Sequence, residues 1–118
     1  VSDHTPMNAE KKDLEFQAAA FGAISLETAF SLTQTFIPSE ISVDLWVEKV
    51  SLNPRKIFKL NDASLTEGKI ANITWFHPTE SWKYSVENIK SVSKNSPCIS
   101  TNLQGKVLGT FKKKIYIN

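Results

Sequence analysis

Cysteine is nearly missing from this chain: its 118 residues include one, Cys98. A lone cysteine excludes an intramolecular disulfide and fits a reducing compartment, so a cytoplasmic location is expected. Histidine is almost as scarce, and the two present, His4 and His77, lie too far apart in sequence to read as a metal site. Of the 4 glycines, Gly22 has no glycine neighbour, which excludes a phosphate-cradling loop there. No apolar run approaches the length that spans a bilayer. Residues 1–10 lack the basic start and apolar stretch of a secretory signal, and their chemistry reads as the middle of a longer chain. Excess charge is absent as well. Fourteen Lys and Arg face 12 Asp and Glu, a net +2 that argues against nucleic acid as a partner. What remains is ordinary globular material: 41% hydrophobic, 22% charged, with seven Phe, three Trp and two Tyr to fill a core. That suits one small domain or a piece of a larger one.

The chain reads as helices first and strands after, an α+β pattern. The polar stretch 8–17 is a surface loop or short helix. Leu26, Ala29, Phe30, Thr33 and Ile37 share one helical face and predict a helix over 26–36, with Ser25 as its N-cap and Pro38 as its stop. A second helix is predicted over 40–52, capped by Ser39, with Val43, Trp46, Val47 and Val50 as its apolar stripe. Asn53-Pro54 ends it and opens a third turn over 54–58, since proline suits a first helical position. Residues 70–76 form a β-rich run ending at His77-Pro78, and 82–86 alternate as a half-buried strand does. Residues 91–100 read as a loop. Residues 106–111 and 114–117 read as an antiparallel pair turning at Lys112-Lys113, a poor turn pair because such turns favour residues tolerant of positive φ.

Few residues stand out chemically. Asp3-His4 places a carboxylate beside an imidazole, which serves as metal ligand or general base in some proteins and as a solvated turn in most. His77-Pro78 reads as a turn. Lys112, Lys113 and Lys114 are three clustered charges, fewer than a phosphate-binding face needs. Trp75, Phe76, Trp82 and Tyr84 read as core rather than a base-stacking platform. No His or basic cluster near Cys98 in sequence marks it as a nucleophile. Asn72-Ile73-Thr74 fits a glycosylation sequon, which matters only in a secreted protein.

Four stretches, in order, resemble the C-terminal part of a dihydroorotase of the cyclic amidohydrolase superfamily. Ser2-Asp3-His4-Thr5-Pro6 with Glu10-Lys11-Lys12 resembles the Asp-His-x-Pro segment at the end of the eighth barrel strand. Ala20-Phe21-Gly22-Ala23-Ile24-Ser25-Leu26-Glu27-Thr28 resembles the Phe-Gly-x-x-Gly-Leu-Glu-Thr segment opening the next helix. Asn53-Pro54-Arg55-Lys56-Ile57-Phe58 resembles the Asn-Pro-Ala-x-x-Phe helix, and Ser64-Leu65-Thr66-Glu67-Gly68-Lys69-Ile70-Ala71-Asn72-Ile73 the Gly-Lys-x-Ala-Asp strand entry of the small β-domain. Ser93-Lys94-Asn95-Ser96-Pro97 and Gly105-Lys106-Val107 match the family's last loop and strand.

The resemblance implies a zinc enzyme that interconverts N-carbamoyl-L-aspartate and dihydroorotate in pyrimidine synthesis. It implies that residues 1–60 are the helical end of a (β/α)8 barrel and residues 61–118 part of a small β-sandwich. It also implies that Asp3 is the metal-associated carboxylate and general base, and that backbone near Ala20 and Gly22 binds substrate. The other zinc ligands of the family belong to earlier strands, so this chain alone is expected to bind no zinc and to be inactive. Two positions depart from the family: Met7 stands where a second His contacts the substrate carboxylate, and Ser25 where the pattern has its second Gly. These departures motivate an alternative, a catalytically impaired paralogue acting as a structural partner of a pyrimidine-pathway enzyme such as aspartate transcarbamoylase. A homo-oligomer is a further expectation, because the helix stripes and strand edges would otherwise lie bare.

Overall fold

The computed structural model describes residues 2–37, 39–61 and 64–117. It is a small α+β arrangement in which short helices precede an antiparallel three-stranded sheet. After helix α1 (Ala9–Lys12) come α2 (Ala29–Phe36) and a helical rod made of α3 (Val43–Val47), a π-helical stretch (Glu48–Leu52) and α4 (Asn53–Ile57). Strands β1 (Asn72–Lys83), β2 (Asn102–Lys112) and β3 (Ile115–Ile117) follow, in that spatial order.

Helix α2 starts later than the periodicity predicts, at Ala29, and Ser25 is not its cap. The Ser25 hydroxyl instead donates to the Ser2 carbonyl at 2.5 Å. Helix α3 is capped by Ser42 rather than Ser39: the Leu45 amide donates to the Ser42 hydroxyl oxygen at 3.2 Å. The predicted break at Asn53-Pro54 is a wide turn. The Asn53 amide reaches back to the Glu48 carbonyl, so the rod passes through the proline by loosening its ladder, not by ending. The predicted stop at Pro38 lies outside the described residues.

The strand predicted to end at His77-Pro78 does not end there; β1 runs on to Lys83. Its register against β2 passes from His77↔Lys106 to Ser81↔Gln104, so three residues of β1 bulge out opposite Gly105. The bulge closes on itself, with the Glu80 amide donating to His77 Nδ1 at 3.1 Å. A proline, which has no N–H for the ladder, is tolerated at such a bulge. The β2–β3 turn is Lys113-Lys114, one residue later than predicted, with Lys113 at φ 58.

The core is small: Ile24, Tyr84, Ile89, Cys98 and Leu103 pack together, flanked by Leu32, Trp82 and Ile99. Helix α2 lies on β2, and its inward face differs from the predicted stripe. Phe30 and Ser31 are buried, whereas Leu26 is exposed. Ser31 faces inward because its hydroxyl donates to the Gly105 carbonyl at 2.5 Å, an oxygen that also accepts from Trp82 Nε1 at 2.9 Å. Of the predicted α3 stripe, Trp46 turns inward and meets Phe30 and Phe76 edge-on, at ring-centroid distances of 5.1 and 6.4 Å, whereas Val50 is exposed. Trp75, by contrast, points out into solvent.

Candidate active-site segment

Asp3 is exposed and sits at φ 48, a left-handed conformation that few residues other than glycine adopt. Strain of this kind concentrates where the backbone must present a side chain in one particular way. Around it, two segments meet side by side. His4 and Ala23 form a parallel bridge, and the Thr5 amide donates to the Ala23 carbonyl at 3.0 Å. Gly22, at φ 116, makes this approach possible: a Cβ there would lie 2.6 Å from the Thr5 carbonyl oxygen. Ser25 ties the same junction with its hydroxyl bond to Ser2, and its own φ is not positive, so a side chain at this position strains nothing.

His4 adds a third tie. Its Nδ1 accepts from the successive amides of Ser25 and Leu26, at 3.1 and 3.2 Å. The loop after the core strands closes the arrangement from the other side. Asn95 Nδ2 donates to the Gly22 carbonyl at 2.8 Å, and the Ile24 amide donates to the Asn95 carbonyl at 2.9 Å. Ser93 donates its hydroxyl to the Met7 carbonyl at 2.6 Å. The Glu27 carboxylate accepts the Ser91 and Lys90 amides at 2.6 and 3.0 Å, a charge-assisted clamp between the two halves of the chain. Ala20, the other residue expected to contact substrate, is half-buried, with its amide donating to the Lys11 carbonyl at 2.9 Å.

The structure therefore gathers Asp3, His4, Gly22 and Ser25, and anchors Met7 through its backbone. Glu27 and Asn95, which hold these segments, carry no chemistry of their own in the sequence reading. Both fall inside stretches that carry the family resemblance, which was the one signal able to mark them. Cys98 is buried in the core, and His77 is taken up by the β1 bulge. Tyr84, also in the core, is 1% exposed and its hydroxyl has no hydrogen-bond partner among the described residues. Burial pushes its phenol up to about 12, with the nearby Glu27 charge adding to the effect.

Zinc takes three or four protein ligands. Among the described residues no three His, Cys, Asp or Glu side chains come together in a way that holds a metal ion, so Asp3 with its neighbours does not fit a complete centre. Among those residues, too, no helix is long and apolar enough to cross a membrane.

No protein-family model matches the chain. Individual proteins do. It is 42% identical over 113 residues to the dihydroorotase of Elusimicrobium minutum, covering 94% of this chain and 26% of that protein. It is 40% identical over 109 residues to the dihydroorotase of Clostridioides difficile, covering 91% of this chain and 25% of that protein. To the dihydroorotase of Caldicellulosiruptor saccharolyticus it is 36% identical over 119 residues, which is 99% of this chain and 26% of the relative. The chain spans about a quarter of the length of the curated relatives it matches. With identity of this order along nearly its whole length, the chain is related to the dihydroorotases of the cyclic amidohydrolase superfamily and resembles a C-terminal portion of one.

Proposed function

We propose that the natural protein carrying this sequence is a zinc-dependent dihydroorotase, acting on N-carbamoyl-L-aspartate and dihydroorotate, with this chain supplying the end of its active site. The observation that carries the reading is Asp3, held at positive φ on a segment tip fastened to the loop of Gly22 and Ser25. Ring closure joins the carbamoyl nitrogen to a carboxyl group with loss of water, and the reverse reaction adds water back. Either direction needs a group that takes and returns a proton, and an exposed carboxylate with a fixed backbone suits that task. Backbone groups near Ala20 and Gly22 would orient the substrate. Residues 1–60 would complete a (β/α)8 barrel and residues 61–118 a small β-sandwich. The ligands that complete a zinc centre would come from outside this chain, and the chain alone would be inactive.

The second reading, an impaired paralogue that serves as a structural partner of another pyrimidine-pathway enzyme, rests on Met7. A thioether cannot donate the hydrogen bond that a histidine gives to a substrate carboxylate. Ser25 lends that reading less support, because its hydroxyl is spent on the Ser2 carbonyl. The test is turnover of dihydroorotate by the natural protein, expressed whole with zinc supplied. Turnover that falls at least about 100-fold in Asp3→Asn is expected. A folded, zinc-loaded protein without turnover overturns the proposal and favours the paralogue.

A further inference from the structure

The Asp3 segment could be held in place by its backbone alone, yet a side chain next to the carboxylate does part of the holding. We propose that His4 is a positioning residue, whose imidazole replaces an anion at a pair of converging backbone amides and so fixes how Asp3 is presented. That it serves Asp3 rests on the dihydroorotase reading; the clasp itself does not.

Successive N–H groups that converge on one point form a concave donor site of the kind that elsewhere binds anions. Here the Ser25 and Leu26 amides converge on His4 Nδ1 at 3.1 and 3.2 Å. A ring nitrogen that accepts two N–H bonds carries no proton, so the hydrogen of the neutral imidazole sits on Nε2. The structure thus assigns a tautomer. It also assigns a direction of restraint. His4 is fastened on its backbone side by the bridge to Ala23 and on its side-chain side by Ser25 and Leu26, so Asp3 is attached to a residue gripped at both ends. Asp tolerates a left-handed φ better than most residues, and the grip on His4 holds the Asp3 segment in that conformation. Ser25 adds to the same clasp with its hydroxyl bond to Ser2, on the other side of Asp3.

The substitution pair His4→Asn and His4→Gln separates this role from simple filling of space. An Asn side chain puts its oxygen where Nδ1 stands; a Gln side chain puts it where Nε2 stands. The natural protein with 15N-labelled histidine is expected to show His4 as the Nε2–H tautomer, its signal assigned by its loss in His4→Asn. Hydrogen exchange at Ser25 and Leu26 is expected to accelerate about tenfold in His4→Gln and His4→Ala, the effect of losing a typical hydrogen bond, and to stay within about threefold of wild type in His4→Asn. Exchange at Ile89 and Leu103 in the core should not change. In steady-state turnover, His4→Gln should lower kcat with little change in KM, and His4→Asn should restore it. An Nδ1–H tautomer, unchanged exchange in His4→Gln, or a His4→Asn protein as impaired as His4→Ala overturns the proposal. Wild-type protein without turnover defeats the functional reading instead, and the tautomer and exchange results still decide the clasp.

Discussion

Tyr84 shows how one side chain can link core packing to pH. Its hydroxyl is buried without a hydrogen-bond partner among the described residues, and burial holds the phenol's pKa at about 12. In the unfolded chain the same group titrates near 10. Between those two values the unfolded state has given up a proton that the folded state keeps, so raising the pH through this window pulls the equilibrium toward unfolding. Tyr84 therefore contributes full stability below about pH 10 and loses that contribution as pH rises toward about 12. Tyr84→Phe is expected to move the alkaline unfolding midpoint upward. At neutral pH it should change stability by about 1 kcal/mol or less, because the hydroxyl makes no hydrogen bond of good geometry among the described residues, although Glu27 and Ser96 lie near enough to influence it. Circular dichroism followed across an alkaline titration checks both, and an unmoved midpoint contradicts the argument. At this scale the sequence showed the right residue types but not their jobs. Tyr84 was legible as core from its alternating strand pattern. Only the family resemblance singles out Asp3, since Asp-His as a dipeptide occurs in countless turns. The acceptor role of His4 was not legible at all, because it depends on two amides 21 and 22 positions away.

At the scale of elements, the junction of α2 with β2 explains where periodicity misled. The stripe over 26–37 was read from apolar residues, but the face that turns inward includes Ser31, 2% exposed, opposite a glycine. Close approach of a helix to a strand needs small side chains on one partner and none on the other. Gly105 supplies the second condition: at φ 83, it would place a Cβ 2.8 Å from Gln34 Cγ and 3.1 Å from Phe30 Cε1. The approach is then secured by polar bonds, Ser31 to the Gly105 carbonyl and the Gln104 amide to Thr35 Oγ1 at 2.8 Å. Hydrophobic patterning does not register such contacts. Gly105→Ala combines a left-handed φ, which costs an L-residue about 1–2 kcal/mol, with crowding that costs about 1–3 kcal/mol more. A loss of at least about 2 kcal/mol is expected in urea unfolding of the natural protein, and a loss below about 0.5 kcal/mol contradicts this account of the junction. The same logic covers β1. Its run through His77-Pro78 is not readable from sequence because a proline signals a stop unless a bulge absorbs it, and the bulge lies opposite Gly105 across the sheet. The helical rod, in contrast, was partly legible. Of its predicted stripe, Trp46 and Val47 line a cleft with Phe76 of the sheet while Val50 stays half exposed, and neither the Ser42 cap nor the π-turn that carries the rod past Pro54 follows from the spacing.

The molecule as a whole is open. Its radius of gyration is 16.6 Å, against about 13.5 Å for a compact domain of this length. Its accessible surface is 9247 Å², against about 6,400 Å² for a folded monomer of its mass. Large apolar side chains along the whole chain contribute to that exposed surface. Phe16 and Phe21, the latter next to Gly22 in sequence, are 92% and 89% exposed, and Ile57, Phe58, Leu65 and Ile70 lie bare between the helical rod and β1 in the chain. Both outer strands add open edges, and β1 offers twelve residues of backbone for pairing. Apolar surface on this scale does not stay in water when another apolar surface is within reach. Isolated in solution, this chain has only its own copies to supply cover. The 118-residue chain is therefore expected to associate as its concentration rises, with a weight-average mass in sedimentation equilibrium climbing above 13.2 kDa. Ile57→Lys and Ile70→Lys, which place charge on the bare region without touching the core, should shift that association to higher concentration. A chain that stays monomeric from micromolar to millimolar concentrations would mean that these side chains find cover within a single copy, and that the open shape does not persist in solution.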